Sequence, residues 1–505
     1  NINNDADSNA PEKILDIPNG FDFSTHQRVN LTINDPEEKI KYDVYNYSRI
    51  SNDDEIELEY DEILIDNTIY KYIISGITNN GKISHTINLS KSSESSCIRR
   101  KSNEGYEFSI IETNQNEIVY NYSSNNKLEL TSNNSLSTTV IPATLSQDMV
   151  VSGNAIGSVG LNTNGYDLEV SGDLLLSGFI DLSNSNSTIS ANAIDFSGYV
   201  YLRGGTITSQ TSVIISGWLD GSGTVNYCTL QSITGRLNTG SQVIQQQCGT
   251  DTDGDGVNDP DDAYPNDATK AGQIYSPNVS GKSTLAFEDL WPATGDYDFN
   301  DLSFSYRSLV ITNAQNNAVQ VDFICNVNTN YAGFTNGIGI ELEGVTPSQV
   351  QSVTGTSNTE GYIVLNSNGT EANQTNAVII FTDNADNFLE ETTVSVVFNT
   401  PISTGTLGAA PFNPFIIANK DRAKEIHLAN MEPTSLGESG TYITATGFPW
   451  GLSIINDNFK VPKEGVSILQ AYNFFDEWAI SGGVDYDDWN SNTEAGYRNN
   501  QNIED

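Results

Sequence analysis

Between Pro142 and Pro260 a short tripeptide, apolar–Ser/Thr–Gly, returns at a nearly fixed interval, and it restricts the fold of this 505-residue chain more than any other feature. The copies are Val151-Ser152-Gly153, Val170-Ser171-Gly172, Phe196-Ser197-Gly198, Ile215-Ser216-Gly217 and Ile233-Thr234-Gly235. Their glycines are 19, 26, 19 and 18 residues apart, and a further copy, Leu176-Ser177-Gly178, stands 20 before Gly198. A period near twenty is the length of one coil of a β-solenoid. Each coil then supplies short strands that pair with the coils above and below, with Val, Ile and Leu inside and Ser, Thr and Asn outside. The stretch has no internal proline, no lysine, and only Arg203 and Arg236 as cations. A sandwich of regular meanders is the competing arrangement. Cys228 and Cys248 lie twenty residues apart, which puts them within disulfide reach on neighbouring coils; two buried free thiols are the alternative.

The flanking regions have a different texture. From about Ile14 to Leu130 the sequence alternates in β-branched runs such as VNLTIN and KISHTINL, with turn signals such as Asn79-Asn80-Gly81, as in a small β-sandwich. Beyond Gln273, runs such as NAVQVDFICNV and TTVSVVFNT predict a second two-sheet core. Helix is predicted only over Ile468 to Ile480, with Gly482-Gly483 as its stop. The expected fold is therefore mainly β: a tether over 1–13, a β-sandwich over 14–135, a β-solenoid-like region over 136–249, a calcium-binding loop over 250–272, and a C-terminal β-sandwich over 273–505 with at most one or two helices. The polar start reads as a solvated tether of a processed chain, either behind a lipid anchor or simply frayed.

Charge narrows the partners. With 65 acidic and 23 basic residues the formal charge is −42, which repels nucleic acid and anionic membranes. Such a charge favours divalent cations as neutralisers. Arg99, Arg100 and Lys101 form a basic patch inside this acidic background, read here as a solvated turn.

The segment Asp251 to Asp262, DTDGDGVNDPDD, matches a twelve-position calcium loop almost place for place. Asp251, Asp253 and Asp255 occupy positions 1, 3 and 5, Gly256 makes the sharp turn, Val257 offers its carbonyl, and Asp259 and Asp262 fill 9 and 12. Alternate aspartates on a tight loop converge on one point, and Ca2+ takes six to eight hard oxygens. Pro260 and Pro265 follow, so no helix pair flanks the loop and a structural clip is expected rather than a conformational sensor. An acidic linker without metal is the plainer reading. A second cluster follows in FEDLWPATGDYDFND, where Glu288, Asp289, Asp296, Asp298, Asn300 and Asp301 crowd beside Trp291 and Phe299. Asp296, Asp298 and Asp301 are the preferred ligands there, against a reading as Asx turns. Asp383 with Asp386, and Asp485, Asp487 and Asp488, are weaker candidates.

The loop, the FEDLWPATGDYDFNDLSFSYR segment, and then PFIIANKDRAKEIHL, FPWGLSI and ILQAYNFFDEWA in that order, resemble the LruC domain family over about Asp251 to Glu504. The ILDIPNGFDFSTHQRVNLTI segment is similar to that family's N-terminal β-domain. The resemblance implies a bacterial envelope protein, often an outer-membrane lipoprotein, without established catalytic activity. It does not extend to the repeat region.

No GxSxG, HExxH or phosphate-binding loop occurs, and His26, His85 and His427 sit in no catalytic motif. The expected role is non-catalytic: a calcium-stabilised scaffold or adhesin at the bacterial surface or outer membrane, or secreted, with a protein partner in the envelope or self-assembly. A calcium-dependent glycan binder is the alternative, with Trp218, Trp291, Trp450, Trp478 and Trp489 as stacking platforms.

Overall fold

The computed structural model describes residues 13–50, 61–65, 68–102, 105–113, 115–123, 138–151, 154–157, 160–170, 173–210, 212–227, 230–233, 240–245, 251–331, 333–456 and 459–504. The architecture is mainly β, with a solenoid-like insert and sheets on either side of it in sequence.

In the insert every strand pair among the described residues is parallel, and the register advances by one coil at a time. Leu176 pairs with Phe196, Phe196 with Ile215, and Ile215 with Ile233, steps of 20, 19 and 18 that equal the glycine spacing read from sequence. Two sheets run along the stack, one through Leu168, Ile189, Ile207 and Val225, the other through Leu176, Phe196 and Ile215. These side chains are fully buried and belong to a core confined to 141–243. Each such ladder position contributes on the order of 1.5–3 kcal/mol of burial. The recurring glycine has a steric cause. A Cβ on Gly217 would land on the carbonyl oxygen of Gly198, and a Cβ on Gly198 on that of Gly178. Cys228 and Cys248 lie outside the described residues.

The flanks depart from the expectation of two self-contained sandwiches. Strand Gly272–Ser276 pairs with Leu302–Thr312 on one side and with Thr68–Ile77 on the other, through Gln273 opposite Ser75 and Ile274 opposite Ile74. Strands from before and after the insert thus share one sheet, whose twelve described strands span 41–112 and 272–454. Two smaller sheets complete the body, one of His26–Asn34, Lys82–Ser90 and Glu117–Asn121, the other of Gly337–Leu342, Ala377–Thr382, Asn413–Ile417 and Glu425–His427. Side chains of all three sheets, such as Val29, Ile74, Phe323, Ile340 and Phe381, form one hydrophobic cluster. Alternation in NAVQVDFICNV, read as a strand, is realised with Val321, Phe323, Cys325 and Val327 inward.

The single helix predicted over 468–480 is two pieces, Ile468–Ala471 and Phe475–Ile480. Tyr472 between them is extended, bridges Arg498, and donates its hydroxyl to the Lys460 carbonyl at 2.6 Å. A tertiary strand contact here overrides the local apolar spacing. A third short helical turn spans Thr404–Leu407. Among the described residues no helix is long and apolar enough to cross a membrane.

Candidate metal centres

The loop from Asp251 lies between turns, without a helix from 251 to 271, and Gly254 and Gly256 take φ of +82° and +92° that favour glycine. The turning backbone is held by its own carboxylates. Asp251 accepts from the amides of Gly254 (2.6 Å) and Gly256 (2.9 Å), and Asp255 accepts from Val257 N–H (2.8 Å). These bonds leave Asp251, Asp253 and Asp255 with ligand atoms all within 4.8 Å of one another. Three oxygens, Oδ2 of Asp253, Asp255 and Asp262, are buried without a hydrogen-bond partner. Burial, reinforced by Asp255, Asp253 and Asp251, raises the Asp262 carboxyl to about 6. Asp255 is also raised, first by burial and then by Asp253 and Asp251. Asp259 instead accepts from Thr252 N–H and Oγ1, both at 2.7 Å. An all-oxygen set of this kind fits a hard divalent ion and no soft metal.

The loop is fastened on three sides. Val257, whose carbonyl was the predicted ligand, turns its side chain into a small cluster with Ile77, Ala271 and Ala314. Ala263 N–H bonds to Ala271 O, and Ala271 N–H to Thr312 O. Lys101 reaches Asp261. The basic patch is therefore no solvated turn. It lies in strand Ser95–Ser102, paired on both sides, where Arg99 neutralises Asp43 (2.7 Å) and Arg100 neutralises the buried Asp35 (2.6 Å). Lys101 was named in that patch, but its partner Asp261 was not; the signal was the scarcity of cations, which makes each basic cluster a partner for buried acids.

In the second cluster the convergent trio is Glu288, Asp296 and Asp298. Glu288 was named in the cluster but not among the preferred ligands. Asp301, which was preferred, accepts from Asp289 N–H at 2.8 Å and stands beside the Asp289 carboxyl, not within the trio. Burial and neighbouring acids raise Glu288 well above the usual range, and bring Asp298 and Asp301 each to about 7. The weaker candidates do not converge. Asp383 accepts from the amides of Thr359, Glu360 and Gly361, which satisfies its charge, and Asp386 pairs with Asn330. Asp485 and Asp487 are exposed.

The three histidines are all buried. His26 Nε2 meets Ser453 Oγ at 2.6 Å, His85 Nδ1 meets Thr404 Oγ1 at 3.2 Å, and burial lowers both to about 4. His427 lies between Asn413 (2.6 Å) and Glu425 (3.0 Å), and Arg422 pairs with Glu425 and Glu371. No nucleophile–base pair opens to solvent among the histidine contacts of the described residues. Four of the five tryptophans, Trp291, Trp450, Trp478 and Trp489, are core residues, which removes them as stacking platforms; Trp218 is exposed on the insert.

The chain is thus a mainly β protein with a parallel solenoid-like insert and two clusters of carboxylates in ligand-like geometry. A family described as a domain of unknown function (DUF4842) matches residues 316–490, inside the C-terminal part of the body. No curated protein matches the chain. The crystal structure of a candidate lipoprotein from Bacteroides ovatus is similar over 46% of this chain and 76% of that one, at 17% identity and a TM-score of 0.34.

Proposed function

We propose that this chain is a non-catalytic surface protein of the bacterial envelope, a scaffold or adhesin whose body is clipped together by Ca2+ at Asp251, Asp253, Asp255 and Asp262. The observation that carries this reading is the set of three buried, partnerless oxygens on Asp253, Asp255 and Asp262 inside a loop tied to strands from before and after the insert. Each of these carboxylates accepts one backbone amide through Oδ1, and a carboxylate oxygen left buried without a partner is costly unless a cation joins it. The clip stands where the chain leaves the insert and re-enters the shared sheet, so it fixes how the insert departs from the body. Resemblance of this loop and of the Phe287–Arg307 segment to the LruC domain supports the envelope location. The net charge of −42 and the stacked coils suit a spacer or assembly subunit with a protein partner.

A second reading, glycan binding, draws on one observation. Phe179, Tyr199 and Trp218 occupy the same position on three successive coils, with ring centroids 5.5 and 5.7 Å apart, and Phe179 and Trp218 are about half exposed. The deciding experiment is a gentle cross-linked pull-down of the full chain from bacterial envelopes, run beside a glycan array. A stoichiometric protein partner, retained in Ca2+ and lost in EGTA, supports the scaffold. Glycan binding abolished by Trp218→Ala, with no protein partner, replaces it with the second reading.

A further inference from the structure

We propose that Glu288, Asp296 and Asp298 hold a second hard divalent cation, in the C-terminal part of the body and separate from the loop clip. Two independent observations meet here. The ligand atoms of the three carboxylates lie within 4.8 Å of one another. Glu288 is fully buried, and its Oε2 has no hydrogen-bond partner.

The orientation of Glu288 is built in. Its Oε1 accepts from the Phe299 amide at 2.7 Å, which leaves Oε2 as the free end. That oxygen fills the space where a Cβ on Gly295 would sit, next to Asp296, so residue 295 is glycine to admit a carboxylate. Asp298 is fixed by amides from both sides, Asn300 N–H at 3.1 Å and Gly465 N–H at 2.8 Å, the second from a distant loop. Asp296 is exposed and forms the mouth through which an ion enters.

Several other buried acids of this chain are neutralised or hydrogen-bonded. Asp35 and Asp43 are neutralised by arginine, Glu371 and Glu425 share Arg422, Asp383 takes three backbone amides, and Glu341 takes the side-chain amides of Asn376 and Asn413. Around Glu288, beyond burial and the Phe299 amide, the charged neighbours are instead all acids, Asp301, Asp298 and Asp296, and beside Glu464 they are Asp296 and Asp289. No lysine or arginine pairs with Glu288, Asp289, Asp296, Asp298 or Asp301 among the described residues. Crowded buried acids of one sign stay together by binding a cation or by protonation. The two outcomes give opposite signs on neutralising one of them.

The experiment counts Ca2+ per full-length chain by equilibrium dialysis at neutral pH, after stripping with EDTA. Wild type is expected to hold two ions. Glu288→Gln and the loop variant Asp253→Asn/Asp255→Asn are each expected to hold one, and the combination none. Asp296→Asn, at the exposed mouth, keeps the fold and is expected to weaken the second ion at least tenfold. In saturating Ca2+ Glu288→Gln should melt lower than wild type. An unchanged count and affinity in Asp296→Asn, or a Glu288→Gln chain that melts higher, overturns the proposal in favour of a protonated carboxyl. One ion that is lost only in the loop variant overturns it while sparing the clip; one lost only in Glu288→Gln does the reverse.

Discussion

The ammonium of Lys101 stands 2.6 Å from the Asp261 carboxylate, joining a strand of the N-terminal region to the acidic loop 160 residues later in the chain. Both side chains are about five-sixths buried, so the pair is screened less than a surface bridge. Lys101→Met should cost about 1 kcal/mol and speed proteolytic nicking between 251 and 262, measured by timed digestion and intact mass. Cleavage at the wild-type rate would show that the loop does not depend on this anchor.

A substitution in the insert separates its stability from that of the body. Gly217→Ala forces a methyl group into the backbone of the preceding coil, at a cost of about 3 kcal/mol, while the core of the body contains no residue of the insert. Hydrogen exchange should quicken in 161–227 and stay unchanged in 302–329. Uniform acceleration in both would show that the two cores unfold as one.

Arg422 neutralises two fully buried carboxylates, Glu371 and Glu425, and the second is held down to about 2 against its own burial by His427 and by this guanidinium. Arg422→Met leaves both acids uncompensated and should cost about 3–5 kcal/mol in urea unfolding of the body. The double replacement Arg422→Met/Glu371→Gln should recover part of that loss, which a purely steric role for Arg422 does not predict.

Two histidines set an acid limit on stability. His26 and His85 are lowered by burial from 6.5 to about 4, so between those values the unfolded chain binds protons that the folded chain does not. Stability is then complete above pH 6.5 and falls as pH drops toward 4, by on the order of 3 kcal/mol per histidine at most. In excess Ca2+, His85→Asn should flatten the dependence of the urea midpoint on pH between 6.5 and 4.5. An unchanged slope would assign the acid limit to carboxylates.

What the sequence made legible follows the reach of each pattern. The coil period was readable because Leu176, Phe196 and Ile215 repeat what their neighbours do, so spacing along the chain equals register across the sheet. The loop was readable because its carboxylates converge through local bonds such as Asp251 to Gly254 and Gly256. The shared sheet was not, since opposing Ile74 with Ile274 depends on a pairing across 200 residues that alternation alone does not encode. The same applies to Glu288, whose part in the second cluster depends on Gly295 and on the Phe299 amide turning it inward. Local spacing misled at Tyr472, where a bridge to Arg498 divides the predicted helix.

The proposed cation clip between loop and body is read out by a thermal melt of the full chain stripped with EDTA, with and without added Ca2+. Ca2+ at 100 times its dissociation constant should add about 2.7 kcal/mol to the body and raise its melting point, with slower cleavage at 251–262. Asp253→Asn/Asp255→Asn should remove the part of that rise owed to the loop and the protection from cleavage. An identical melting curve and identical cleavage with and without Ca2+ would show that no cation clips the loop.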